Sequence, residues 1–348
     1  MWDTIGQNRA ISLLQRSLEA GSLSHAYLLV GSAHVGKMTL ALDLAKAVNC
    51  EGAGPPCGEC VSCQRIAEGK HADIQVIDLG SGNGDSAESE SRVKISVEQI
   101  EQMQHSAFLP PFEGRCKVFV LDGAEFLSIG AANRLLKTLE EPVAGVVFIL
   151  LTVNEKLLPA TIVSRCQQIE LAPLGTAEIE EALASRWGVE SDKAKLLSRL
   201  ANGCLGWAVS AARDGQLLQQ RAELLDKLLD ITEAGYEQRF QYVAELAGQF
   251  SQSRRAVQEV LQLWLDWWRD LLLVKVGCKD AIINIDRSTQ VIGIAGNYTL
   301  AQIRAFIDNI QAASDQLRLN ANAQLVLEVL MLGIPEKNKL KAPVPDVR

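Results

Sequence analysis

The first 170 residues alternate between two hydrophobic periods. Short apolar runs rich in β-branched and aromatic residues predict strands at Ala26–Val30, Ile74–Ile77, Lys117–Leu121, Val147–Leu151 and Cys166–Glu170. Between them, helical spacing of apolar positions predicts helices over Met38–Asn49, Ser96–Ala107 and Ala131–Glu141. Ser96 with Gln99 three residues on has the spacing of a capping box. Apolar strands separated by helices predict a parallel sheet covered on both faces. Gly80–Ser91 is almost devoid of apolar residues and reads as a solvated loop. After Pro173 the strand pattern stops. Three short helices are predicted at Ala177–Trp187, Ser191–Ala201 and Ala208–Asp214, punctuated by Gly203 and Gly206. Longer helical patterns cover Gln216–Thr232, Glu237–Phe250, Arg255–Val276 and Leu300–Gly333. Trp264, Trp267, Trp268 and Leu271 share one helix face, which reads as core or subunit packing rather than a ligand box. No internal repeat is visible. The predicted organisation is an α/β domain over 1–172, a small three-helix lid over 173–215, an all-α domain over 216–335 and a disordered tail over 336–348.

Length and charge narrow the function. A chain of 348 residues suits two or three domains at roughly 150 residues each. Its formal net charge of −8 disfavours wrapping DNA unaided, because duplex affinity comes mainly from neutralising phosphates. No basic, aromatic-interleaved patch offsets that charge. The longest clean apolar run, Val146–Leu151, is far too short to span a bilayer. Met1-Trp2-Asp3 does not open like a signal peptide. These features predict a soluble cytoplasmic protein with no membrane partner.

Three constellations carry candidate chemistry. The first is Gly31-Ser32-Ala33-His34-Val35-Gly36-Lys37, between a predicted strand and a predicted helix, the context a phosphate-binding loop requires. Glycines let backbone N–H groups converge on phosphate oxygens, and Lys37 would reach the β/γ-phosphates. The pattern wants Ser or Thr after the lysine to bind Mg²⁺. Here Met38 stands there, a thioether that hard Mg²⁺ avoids, and Thr39 is rotated by about 100° on the helix. His34 is expected to face solvent, and His25 and His105 are read as packing or surface residues.

The second is Asp122, ending a buried strand where an acid would hold Mg²⁺ through water. The bland alternative is a turn or capping residue. The glutamate that would activate water is replaced by Gly123, and Glu125 falls two positions later. The third is Cys50, Cys57, Cys60 and Cys63, four of the eight cysteines within fourteen positions. Four soft ligands in a loop tightened by Pro55, Pro56 and Gly58 favour structural Zn²⁺ in a closed tetrahedron. An iron–sulfur cluster or free thiols are the alternatives.

In this order, the pieces resemble the clamp-loader branch of the AAA+ ATPases, found in bacterial DNA polymerase III. Ser24-His25-Ala26-Tyr27-Leu28 leads into the phosphate loop, the cysteines follow the first helix, and His71-Ala72-Asp73 comes soon after. The string from Ala131 to Pro142, with Asn133-Arg134-Leu135-Leu136-Lys137-Thr138-Leu139-Glu140-Glu141, is the most specific. Phe148–Thr152 is similar to the sensor-1 strand, and Pro159–Cys166 contains the family's Ser-Arg-Cys motif. The motif-bearing match covers about Met1 to Pro173; the helical remainder agrees in layout, including Trp267-Trp268-Arg269-Asp270-Leu271.

The resemblance implies a nucleotide-binding-like α/β domain, a lid, and a helical collar holding a hetero-pentameric ring with motor subunits and a delta subunit. Through that ring the chain would act on the sliding clamp and primer–template DNA at the nucleoid-associated replisome. It implies that Arg165 is an arginine finger acting on a neighbour's ATP; the bland reading pairs Arg165 with a surface acid. Gly31, Gly36, Lys37, Thr39, Asp122 and Thr152 would form a degenerate nucleotide site, holding ATP or ADP weakly or not at all. Aligning on Gly206 puts Val209 where the lid's sensor-2 arginine belongs. With Met38 and Gly123, three catalytic positions are degraded. The expected role is a non-motor scaffold of the DNA-directed DNA polymerase holoenzyme with little ATPase activity of its own. A catalytically active motor subunit is the alternative.

Overall fold

A computed structural model describes residues 2–79, 94–319 and 321–337. The chain divides into two compact units. The first comprises Met1–Ala182 with Gly203–Trp207, and the second Leu183–Asn202 with Ala208–Arg348.

Among the described residues, the first unit is built on five parallel strands: β1 (Ala26–Val30), β2 (Ile74–Ile77), β3 (Lys117–Asp122), β4 (Val146–Thr152) and β5 (Gln167–Glu170), ordered β2-β3-β4-β1-β5. Each expected strand is present, with ends shifted by one residue at most. The pleat sends alternate residues to opposite faces. Ala26, Leu28, Val30, Phe119, Leu121, Phe148 and Leu150 join one core cluster. Tyr27, Leu29, Val118, Val120, Ile149 and Leu151 join another. Helices α1 (Asn8–Glu19) and α2 (Lys37–Asn49) contribute Leu14, Leu40 and Leu44 to the second cluster. A short helix α3 (Val61–Ala67) follows α2 within the cysteine segment. Helices α4 (Val97–Phe108) and α5 (Ile129–Glu140) contribute Ile100, Met103 and Leu135 to the first cluster. Ser96 and Gln99 form the expected capping box, each side chain accepting from the other's backbone N–H. A one-turn helix α6 (Ala160–Val163) precedes β5, and α7 (Thr176–Trp187) follows it. Helix α1, α3 and the turn at α6 extend the sequence expectation. The expected loop at Gly80–Ser91 and the expected tail beyond Lys337 lie outside the described residues.

The second unit is helical: α8 (Ser191–Leu200), α9 (Leu205–Arg213), which it shares with the first unit, α10 (Gly215–Glu233), α11 (Tyr236–Gln252), α12 (Arg254–Lys275), α13 (Ser288–Ala295), α14 (Leu300–Arg318) and α15 (Ala323–Leu332). Its core is aromatic. Trp264 and Trp268 meet the Phe306 ring edge-on at centroid distances of 5.1 and 4.6 Å. Trp267 and Leu271 are buried beside them, so the tryptophan face of α12 is core.

The pattern over Leu300–Gly333 requires correction. It is two helices, because the Asn322 side chain accepts from the Leu325 N–H and starts α15 afresh. Helix α13 was also unforeseen. On α12, Asp270 is wholly buried and accepts hydrogen bonds from the Ile283 N–H at 2.9 Å, the Asn284 N–H at 2.7 Å and the Asn284 amide at 2.7 Å. Burial without those donors would be strongly unfavourable. Among the described residues, no helix is long and apolar enough to cross a membrane.

Candidate functional site

The loop after β1 starts α2. Gly31 donates to the Thr152 carbonyl at 3.1 Å. A Cβ on Gly31 would lie 2.7 Å from the Leu171 carbonyl oxygen, so only glycine fits. Gly36, the residue before α2, has φ +108°, outside the range side-chain-bearing residues adopt readily. The Lys37 ammonium donates to the Gly31 and Ser32 carbonyls at 2.6 and 2.8 Å. The lysine therefore lies back across the loop whose phosphate it would serve. His34 is exposed, as expected, with φ +61°. Its carbonyl accepts from the Gly206 N–H at 2.9 Å, and a Cβ on Gly206 would stand 2.8 Å from that oxygen. Thus the Gly203–Trp207 segment closes onto the loop by a backbone contact that only glycine permits.

The degraded positions have physical settings. Met38 is half-buried and packs against the second core cluster, while Thr39 is exposed. Asp122 ends β3, beside Leu151 of β4. Gly123 then turns the chain with φ +77°, and a Cβ there would lie 2.7 Å from the Phe126 ring. A glutamate at this position would meet both the left-handed backbone and the ring. Thr152 is buried, and its hydroxyl donates to the Asn154 carbonyl at 3.1 Å and accepts from the Asn154 N–H at 3.3 Å.

Arg165 follows α6. One guanidinium nitrogen donates to the Thr161 carbonyl at 2.8 Å, and another meets Glu140 Oε1 at 2.7 Å. The Arg165 and Glu140 side chains keep 34% and 50% of their surface exposed. A surface acid is the alternative partner expected from the sequence, and the structure places Glu140 of Leu139-Glu140-Glu141-Pro142 there. His25 is half-buried beside the Leu139 carbonyl at 3.1 Å, and His105 is exposed.

The four cysteines converge. Their Sγ atoms all lie within 4.8 Å of one another, and Cys57 and Cys63 are 4.0 Å apart. Four thiolates at about 2.3 Å from one ion stand about 3.8 Å apart, so the set fits a tetrahedral metal. Hydrogen bonds from the Cys60 and Glu59 backbone pull the Cys57 thiol down to about 6. Burial pushes the Cys63 thiol up to about 12, a penalty that a bound cation would relieve.

The cysteine segment is tied to the loop before β3. Arg65 of α3 pairs with Glu113, whose other oxygen accepts from the Ala72 N–H at 2.8 Å. Asp73 accepts from the Phe112, Glu113 and Gly114 N–H groups at 2.7 to 2.8 Å. Burial raises this carboxyl, but the three donors outweigh that and hold its pKa below the usual range. His71-Ala72-Asp73 is therefore an anchoring motif here.

A family model described as DNA polymerase III, delta subunit, matches residues 6–175. The DNA polymerase III subunit delta' of Bacillus subtilis is 30% identical over 331 residues, covering 95% of this chain and 96% of that protein. The chain belongs to the DNA polymerase III clamp-loader family. Within this family, subunit tau of Escherichia coli is 31% identical over 84% of this chain, which spans 45% of its length. Subunit tau of B. subtilis is 28% identical over 99% of this chain, which spans 63% of its length. A gamma subunit-related protein of Thermotoga maritima has 16% identity and a TM-score of 0.44 over 92% of this chain and 98% of its own. This clamp-loader chain sets a glycine-bearing loop between β1 and α2 on a parallel sheet, with a helical unit following in sequence.

Proposed function

We propose that the chain is the delta-prime-like subunit of a DNA polymerase III clamp loader. It is a largely non-motor AAA+ scaffold that helps load the sliding clamp onto primed DNA. Gly123 carries the reading: the position for the water-activating acid is held in a backbone conformation that disfavours any side chain. Met38, in place of the Mg²⁺-binding hydroxyl, and Val209 point the same way. A delta' relative 30% identical over 331 residues supports this role.

In this reading, residues 1–172 are the nucleotide-binding-like domain, 173–215 the lid and 216–335 the collar. The collar assembles with motor subunits and a delta subunit into a hetero-pentamer at the cytoplasmic, nucleoid-associated replisome. Leu325, Val329 and Leu332 form an exposed apolar stripe along α15, as a helix packing against neighbours requires. Gly31, Gly36, Lys37, Thr39, Asp122 and Thr152 form a weak or non-functional site for ATP or ADP. Cys50, Cys57, Cys60 and Cys63 hold structural Zn²⁺; four thiolates leave no open position, so the ion fixes the segment. Arg165 acts in trans. Its permanently charged fork spreads donors over phosphate oxygens, and such a finger is worth about 10³- to 10⁵-fold in rate in related chemistry.

Steady-state ATP hydrolysis tests the assignment. The isolated chain should turn over ATP at background, with or without Lys37→Ala. Turnover that Lys37→Ala abolishes would make the chain a motor subunit, similar to tau or gamma. In the complex assembled with its partner subunits, Arg165→Ala should depress turnover sharply while leaving assembly intact. Unchanged turnover would remove the finger assignment.

A further inference from the structure

The Arg165–Glu140 pair joins two elements of the first unit. Glu140 is the last residue of α5, where the helix dipole places partial negative charge and disfavours an anion. A carboxylate there is unfavourable for the helix by itself. What it has in exchange is the Arg165 guanidinium at 2.7 Å. A second arm of the same guanidinium is held by the Thr161 carbonyl at 2.8 Å and lies 3.4 Å from the Ser164 hydroxyl. The arginine is thus fixed at both ends of its fork, yet a third of its side chain stays in solvent.

Two quantities decide what such a pair does. An exposed pair contributes little, on the order of 0.2–1 kcal/mol, so it can be exchanged. A polyphosphate carries more negative charge than a carboxylate and offers several oxygens to the same donors. A carboxylate in contact with the fork therefore competes with any phosphate the fork is meant to reach. The competition is weak enough to lose when a triphosphate is in place.

We propose that Glu140 is a positioning residue that parks Arg165 and yields it to a neighbouring subunit's nucleotide. This rests on the reading of Arg165 as a finger in trans. Glu140 touches no substrate and acts only through Arg165. Helix α5 begins at Ile129, six residues after Gly123, and ends at Glu140.

The test is a double-mutant cycle on ATP hydrolysis by the complex assembled with its partner subunits, using Glu140→Gln, Arg165→Ala and the double variant. Glutamine keeps the size and an acceptor oxygen but removes the competing charge. Glu140→Gln should raise kcat/KM by about 1.4- to five-fold, which is 0.2–1 kcal/mol at a factor of ten per 1.4 kcal/mol. On the Arg165→Ala background the same substitution should change nothing, because there is no finger left to release. A merely structural role for Glu140 would show its effect on both backgrounds. If Arg165→Ala depresses turnover but Glu140→Gln leaves it unchanged or lowers it, the parking role is overturned and the finger stands. If Arg165→Ala has no effect, the finger and the parking role fall together.

Discussion

Placing a side chain at Gly123 would test whether the missing catalytic acid is excluded by the fold. Gly123 follows Asp122 with φ +77°, and an added Cβ would meet Phe126 ring carbons at 2.7 and 3.1 Å. A non-glycine residue in the left-handed region costs about 1–2 kcal/mol. Forcing a ring aside in a packed setting adds about 1–3 kcal/mol. Gly123→Glu should therefore destabilise the first unit by about 2–5 kcal/mol. Gly123→Ala should cost nearly as much, because both penalties belong to the Cβ. Adding Phe126→Ala should recover the steric share, beyond its own cost, and leave the backbone share. Urea unfolding followed by far-UV circular dichroism is the assay, with the loss expected in one transition if the two units unfold separately. The double variant Met38→Thr, Gly123→Glu should remain without ATPase activity. Full stability for Gly123→Ala, or Gly123→Glu with restored hydrolysis, would refute the claim that backbone geometry excludes the acid.

Other consequences are open to direct measurement. The purified chain should hold about one equivalent of Zn²⁺ by colorimetric release, and Cys63→Ser should lose it and loosen residues 50–67 to hydrogen exchange. Asp270→Ala would strand the Ile283 and Asn284 donors, so thermal unfolding should report a loss of about 3–5 kcal/mol confined to the helical unit. Burial pushes the Asp266 carboxyl up to about 6, with Asp270 nearby adding to the shift and Gln262, Arg269 and Arg221 opposing it. A raised carboxyl penalises the charged folded form, so stability from this group is greatest below pH ~4 and declines as pH rises toward 6. Asp266→Asn should accordingly raise Tm at pH 7.5, by the equivalent of about 1–3 kcal/mol, and gain nothing at pH 4.

The α/β unit was largely legible because its strands are buried on both faces. Continuous apolar runs such as Val118–Leu121 and Val147–Leu151 have few alternatives to a central strand. The cysteine cluster was legible for a different reason: ligand spacing is local. Helix α1 was missed although Ala10, Leu14 and Leu18 have helical spacing, because it starts after Gln7, whose side chain makes no capping hydrogen bond, and so has no start signal in the sequence. Helix α13 was missed because Val291, Ile292, Gly293 and Ile294 read as neither period. The break between α14 and α15 was signalled only by Asn320 and Asn322 amid a continuing apolar repeat. At the candidate site, the phosphate loop, Asp122 and Arg165 were visible as motifs, but their settings were not. The Gly206 contact with His34, the ring against Gly123 and the Glu140 partner all depend on residues brought together from elsewhere in the chain. No spacing rule reports those distances.

The way the chain is shared between its units has a practical meaning for dissecting it. The polypeptide passes from the first unit to the second after Ala182, returns at Gly203, and leaves again after Trp207. Three covalent crossings therefore join the halves, and no single proteolytic nick can release one from the other. A fragment ending near residue 175 would lack the segment whose Gly203 carbonyl accepts from the Leu174 N–H and whose Gly206 covers His34. Such a fragment would expose backbone that the whole chain satisfies, and its nucleotide affinity would not report that of the intact subunit. Separating the functions of the two halves calls for point substitutions or circular permutation at the crossings rather than truncation.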